Sequence, residues 1–170
     1  DYGSVTFYEN NKAAGRTTDM ASLTTLYTDK AIDFLENRRD PNKPFVLYLA
    51  HTMMHTVIDA SERFRGKSMG GLYGDVVEEF DYETGRLLDT LDELGLRKDT
   101  LVIYTSDNGP WTLMGTETGG SAGLLKDGKG STWEGGMRVP GIAWWPGKIK
   151  PGVTDNVGTM LDLYPTAAKL

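Results

Sequence analysis

Cysteine is absent from the 170 residues, which excludes disulfides, thiolate metal sites and a cysteine nucleophile within this chain. Long apolar runs are missing too, and none approaches the roughly 18 residues that a membrane span requires. Histidine is scarce: His51 and His55 are the only 2, so imidazole chemistry falls on one short segment. Cationic residues number 18 against 24 acids, and the net charge of −6 leaves no dominant basic face for nucleic acid. That balance stays compatible with a small cationic pocket for an anionic substrate. There is no Walker A order, so a nucleotide reading has no anchor. The opening stretch DYGSVTFYENNKAAGRTTDM is polar, lacks a charged-then-apolar leader pattern and does not resemble a natural domain start.

What is present is globular. Hydrophobic residues at 39% and charged residues at 25% suit one domain with a substantial core. Residues 1–20 read as irregular, with ENNKAAGR an exposed loop. From about Ser22 to Asn37, Leu23, Leu26, Tyr27, Ala31, Phe34 and Leu35 recur at helical spacing. Phe45–Ala50 is a short apolar run of strand character between Pro44 and a polar segment. A second helix is expected over LYGDVVEEFDYETGRLLDTLDELG. Its apolar face runs through Leu72, Val76, Phe80, Leu87, Leu91 and Leu94, and Gly95 stands at its C-terminal cap. Gly85 weakens its interior by about 1 kcal/mol relative to Ala. Leu101–Thr105 and Gly141–Trp145 read as further strands, and MLDLYPTAAKL begins another helix.

Helix, strand, helix, strand, loop, strand, helix is the rhythm of an α/β sandwich with a largely parallel sheet. In such sheets functional groups gather beyond the carboxyl ends of strands. Two polar clusters fall there, HTMMH after Phe45–Ala50 and SDNGPW after Leu101–Thr105.

Asp107 and Asn108 offer a carboxylate and an amide carbonyl, hard oxygen donors suited to Ca²⁺ or Mg²⁺. Asp-Asn-Gly followed by Pro equally favours a plain turn. His55 has the chemistry of a general acid or base, or of a loop histidine bonded to backbone. Spacing of four between His51 and His55 makes a metal pair only on a helix, and the flanking Thr and Met do not read as helix. The glycine-rich segment Leu124–Pro140 carries Lys126, Lys129 and Arg138. It fits either an anion cradle or a mobile surface loop. Trp111, Trp133, Trp144 and Trp145 are candidates for a cleft lining, the last two more readily core. Glu78 and Glu79 are expected on the solvated face of the second helix.

Three segments, PFVLYLAHTMMHT, GLYGDVVEEFDYETGRLLDTLDELGLRKDTLVIYTSDNGP and GKGSTWEGGMRVPGIAWWPGKIKPG, together resemble the sulfatase family of the alkaline phosphatase superfamily. With LDLYPT the likeness covers roughly residues 20–170, and it is nearest the arylsulfatase A and N-acetylgalactosamine-6-sulfatase type. The resemblance implies part of an alkaline-phosphatase-like α/β sandwich with a mixed, largely parallel sheet. It implies a sulfuric ester hydrolase in which Asp107 and Asn108 ligate calcium, with magnesium an alternative. Lys129 would contact the sulfate and its bridging oxygen, His55 would face the leaving-group oxygen, and Arg138 would be structural.

This sequence departs from the family pattern in two ways. Met54 and Val57 stand where the family commonly has prolines around the histidine. The family's nucleophile is a formylglycine made within a Cys/Ser-x-Pro/Ala-x-Arg motif that is not found in this chain. Also missing are the upstream Asp-Asp pair and the Gly-Lys-x-x-His segment. The expectation is therefore an internal piece of a sulfatase catalytic domain, without the nucleophile region and the small C-terminal domain, and inactive by itself. Its substrate would be a sulfated glycan, glycolipid or aryl sulfate, its partner the remainder of the same enzyme, and its compartment the periplasm, lysosome or exterior by family habit. Two other readings stay open: a phosphodiesterase or phosphonate hydrolase of the superfamily, and a non-catalytic anion-binding module.

Overall fold

The computed structural model describes residues 4–113 and 119–170. The expected irregular start is not borne out over residues 5–17. Val5–Glu9 (β1) and Lys12–Thr17 (β2) form an antiparallel hairpin. Asn10 and Asn11 turn it with φ of 48° and 67°, the left-handed pair that a two-residue hairpin turn needs and that asparagine tolerates. A register shift at Phe7/Tyr8 lies opposite Gly15.

The two expected helices are present. Leu23–Asp33 (α1) runs on into a wider turn over Phe34–Arg38. Gly71–Glu93 (α2) ends where Gly95 predicts: its φ is +70°. The Gly95 N–H donates to Asp92 O at 2.9 Å and the Leu96 N–H to Leu91 O at 2.8 Å. This double closure satisfies carbonyls that the helix end leaves free.

The seam between α1 and α2 is more polar than the spacing of leucines suggests. Thr24 and Thr28 of α1 and Asp75, Glu79 and Glu83 of α2 are all buried. Glu79, expected in solvent, accepts the Ser61 N–H at 2.9 Å, while Glu78 next to it is exposed. Thr25 Oγ1 lies 3.4 Å from Glu79 and 3.2 Å from Glu83. Arg86 joins Glu83 at 2.6 Å to Asp29 at 2.8 Å. Asp75 accepts three backbone N–H groups, from Gly66, Lys67 and Ser68. Those three donors hold its carboxyl below the ordinary carboxylate range. Buried carboxylates are tolerable here because donors meet them.

Met53, Ile58, Ala60 and Val76 form the core beside the start of α2, flanked by Phe64, Leu72 and Tyr73. A line of rings then ties the layers together. Tyr104 meets Phe80 of α2 at 5.8 Å, Phe80 meets His51 at 4.8 Å, and His51 meets Tyr27 of α1 at 5.9 Å.

Val102–Thr105 (β3) pairs with Gly141–Trp144 (β4), from Val102↔Trp144 to Thr105↔Gly141. Glu134–Met137 (α3) is a single turn before β4, and Leu163–Lys169 (α4) closes the chain. Both strand pairings among the described residues are antiparallel, so they do not form the largely parallel sheet expected from the helix–strand rhythm. The run Phe45–Ala50 carries no ladder among those residues. It is extended, with Phe45, Leu47 and Leu49 half-buried and Val46 and Tyr48 exposed. No described helix is long and apolar enough to cross a membrane.

Candidate active site

The antiparallel pairing of β3 and β4 decides what meets at the sheet edge. The segment leaving β3 at Thr105 and the segment entering β4 at Gly141 lie at the same end of the ladder. One carries Asp107 and Asn108 and the other carries Lys129, so two stretches about twenty residues apart become neighbours. A parallel partner would have placed the loop before β4 at the opposite edge.

Backbone contacts then lock the two stretches. The Gly109 N–H donates to Gly136 O at 2.9 Å, the Lys129 N–H to Pro110 O at 2.8 Å, and the Gly135 N–H to Lys126 O at 2.8 Å. Glycine is required by proximity. A Cβ on Gly109 would lie 1.8 Å from Gly135 O, one on Gly135 would lie 2.0 Å from Asp127 O, and one on Gly136 would lie 2.3 Å from Ser131 O. Gly109, Gly128, Gly135 and Gly136 are buried. At these positions the glycine-rich segment is packed against backbone and is not an open cradle for an anion. Its glycines let one backbone lie directly on another. Asp127, whose φ is +68°, turns the chain just before Lys129, and its carboxylate accepts the Gly128 N–H at 2.9 Å.

On this platform Asp107 is exposed and forms no ion pair among the described residues. The Asn108 amide nitrogen donates to Gly109 O at 2.9 Å, and Ser106 Oγ donates to Asn108 O at 3.1 Å. With its nitrogen so engaged, Asn108 presents its side-chain oxygen. A carboxylate and an amide oxygen from one turn fit a hard divalent cation as part of a ligand set. Among the described residues no three His, Cys, Asp or Glu side chains gather in a metal-sized group.

His55 and Lys129 converge on one ring, that of Trp111. The Lys129 ammonium lies 5.3 Å from its centroid. The His55 ring stands 6.0 Å away at an interplanar angle of 83°. His55 Nδ1 is 2.7 Å from Thr56 O, and a carbonyl only accepts, so Nδ1 carries a hydrogen, and Nε2 has no hydrogen-bond partner among the described residues. His51 has a different setting. It is packed between Tyr27 and Phe80, its Nδ1 is buried without a partner, and burial pushes its pKa below the ordinary value. It belongs to the core, not to the exposed cluster. Arg138 pairs with Glu134 at 2.6 Å on the surface.

Sequence reasoning had placed Trp111 only among possible cleft residues. Its position between His55 and Lys129 has no signature in spacing, because it depends on three separate segments. The close-approach role of the glycines was equally hidden, since glycine marks permissive backbone without saying what approaches it.

Residues 2–170 match the sulfatase family. The chain is 44% identical over 165 residues to mouse N-acetylgalactosamine-6-sulfatase, covering 96% of this chain and 32% of that protein. It is 44% identical over 162 residues to mouse steryl-sulfatase, covering 92% of this chain and 26% of that protein. Among solved structures, Ps i-CgsB in complex with k-i-k-neocarrahexaose superposes with a TM-score of 0.78 at 31% identity, over 92% of this chain and 35% of that one. The chain therefore spans about a third of the length of these relatives or less, and within that span its sequence and its partial α/β architecture match theirs: it belongs to the sulfatase family.

Proposed function

We propose that the polypeptide carrying this sequence hydrolyses a sulfate monoester, with Lys129 and His55 as catalytic, substrate-contacting groups and Asp107 and Asn108 as ligands of a calcium ion. The observation that carries this reading is the glycine lock, which fixes Lys129 and the Asp107–Asn108 turn as one body. Family membership supplies the reaction class. When bound, the cation would supply fixed positive charge to the sulfuryl oxygens.

The chain's own residues divide the remaining work. Cleavage of a sulfate ester builds negative charge on the sulfuryl oxygens and on the departing oxygen. The Lys129 ammonium is a compact charge on a backbone fixed at Pro110, suited to hold the sulfuryl group without reorganising. With both ring nitrogens protonated, His55, anchored through Nδ1–H, can deliver the Nε2 proton to the departing oxygen and then take one back from solvent. Residues 1–170 contain no cysteine and no Ser-x-Pro/Ala-x-Arg from which a formylglycine is made. They are accordingly proposed to form part of the catalytic domain and to turn over no ester by themselves. In the same reading β3 and β4 belong to a larger mixed, largely parallel sheet of an α/β sandwich. Sulfated glycans, glycolipids and aryl sulfates are the substrate classes that suit the site.

The test compares turnover of 4-nitrophenyl sulfate, 4-nitrophenyl phosphate and an aryl phosphonate by the natural polypeptide that carries this sequence. Preference for the sulfate is expected. Preference for either phosphorus ester, or no turnover of any of the three, would overturn the assignment.

A further inference from the structure

Lys129 and His55 reach the site on long or exposed side chains, and backbone fixation alone does not set where their charged ends lie. Trp111 meets both. Its backbone follows Pro110, whose carbonyl already holds the Lys129 N–H at 2.8 Å, so ring and lysine share one rigid base. The ammonium then lies 5.3 Å from the ring centroid. The imidazole stands nearly perpendicular at 6.0 Å, with one further anchor at Thr56 O. Indole carries the strongest aromatic quadrupole for a cation, and perpendicular packing is a favoured aromatic geometry. Trp111 is 36% exposed, so it is open to solvent while still packed against both groups.

We propose that Trp111 is a positioning residue that holds the Lys129 ammonium over its ring and the His55 imidazole against it, fixing the spacing between the two groups. The contact is read directly from the geometry; its consequence for turnover rests on the sulfate-ester reading. The ring acts through its neighbours and transfers no proton. Without it, both groups sample orientations that do not face one substrate, and misplacement of reacting groups lowers kcat more than binding.

The experiment uses Trp111→Phe, Trp111→Leu and Trp111→Ala in the natural polypeptide. Phenylalanine keeps a quadrupole, whereas leucine keeps apolar bulk without one. Leu and Ala are expected to lower kcat for an aryl sulfate roughly tenfold with KM within about twofold, and Phe to retain most of the activity. Carbon-13 labelling at lysine Cε, with Lys129→Arg to assign the signal, reads the contact without catalysis. The Lys129 methylene protons are expected to be shifted upfield in the wild type and the Phe variant and unshifted in Leu and Ala. Equal kcat in all variants, a Leu variant as active as Phe, or an unshifted Lys129 signal in the wild type would overturn the proposal. Should the wild type cleave no sulfate ester, the sulfate reading fails by itself and the lysine signal still decides the contact.

Discussion

The N–H of Lys129 donates to the carbonyl of Pro110 at 2.8 Å. The lysine is thereby fixed to the residue that ends the Asp107–Asn108–Gly109 turn. Antiparallel pairing of β3 with β4 brings these stretches to one sheet edge, and glycines allow their backbones to touch. If, as proposed, the turn binds a cation and Lys129 the substrate, their placement on separate mobile loops would require ordering at each binding event. Here that ordering is built into the fold.

The lock is tested by adding one carbon. Gly109→Ala places a Cβ against Gly135 O, where no shift of a flexible side chain relieves it. A loss of about 2–3 kcal/mol in urea unfolding is expected, in the range of overpacked cores. Gly152→Ala, with nothing within 4 Å, should change stability by less than about 0.5 kcal/mol. Equal effects from the two would mean that the close approach is not a real constraint.

The polar seam between the helices makes a second prediction. Glu79→Ala removes the acceptor of the Ser61 N–H inside a buried seam and is expected to cost about 2–3 kcal/mol. Glu78→Ala, one residue away and exposed, should be nearly neutral. Comparable midpoints for the two variants in chemical denaturation would contradict the burial of Glu79.

His51 governs part of the acid sensitivity. Burial lowers its folded pKa below 6.5, its ordinary value. The unfolded chain then binds the proton more readily, so the stability from keeping this ring neutral is present above pH 6.5 and is lost as pH falls toward the folded pKa. His51→Phe keeps a ring between Tyr27 and Phe80 and removes the unpartnered Nδ1. It should flatten the decline of stability just below pH 6.5 without lowering stability at neutral pH. An unchanged pH profile would show that His51 is not held neutral by its surroundings.

These cases also show what a sequence discloses and what it withholds. The periodic leucines and Gly95 announce α2 and its end, because helix spacing and caps are local properties. The sulfatase segments point to Asp107, Asn108, His55 and Lys129 by kinship with known motifs, and the proposed function carries that reading forward. The hairpin at Asn10–Asn11 went unread because two asparagines mark a loop as readily as a left-handed turn. Phe45–Ala50 reads as a strand, yet a ladder depends on a partner that local pattern does not specify. Glu79 looks like its neighbour Glu78 until the Ser61 N–H and the Thr25 hydroxyl are brought across from distant segments. Trp111 is legible only in three dimensions, for the same reason.

The account stands or falls on whether Asp107 and Lys129 serve one reaction. The most direct measurement is calcium-dependent hydrolysis of an aryl sulfate by the natural polypeptide, in wild type, Asp107→Ala and Lys129→Ala, with circular dichroism as the control for folding. Asp107 is exposed and Lys129 half-buried, and neither is part of the buried core, so both variants should keep their folded spectra. Each should lose roughly a hundredfold or more in kcat/KM, and chelation of calcium should bring the wild type down to the level of Asp107→Ala. Wild-type turnover in either folded variant, or turnover indifferent to calcium, would contradict the site.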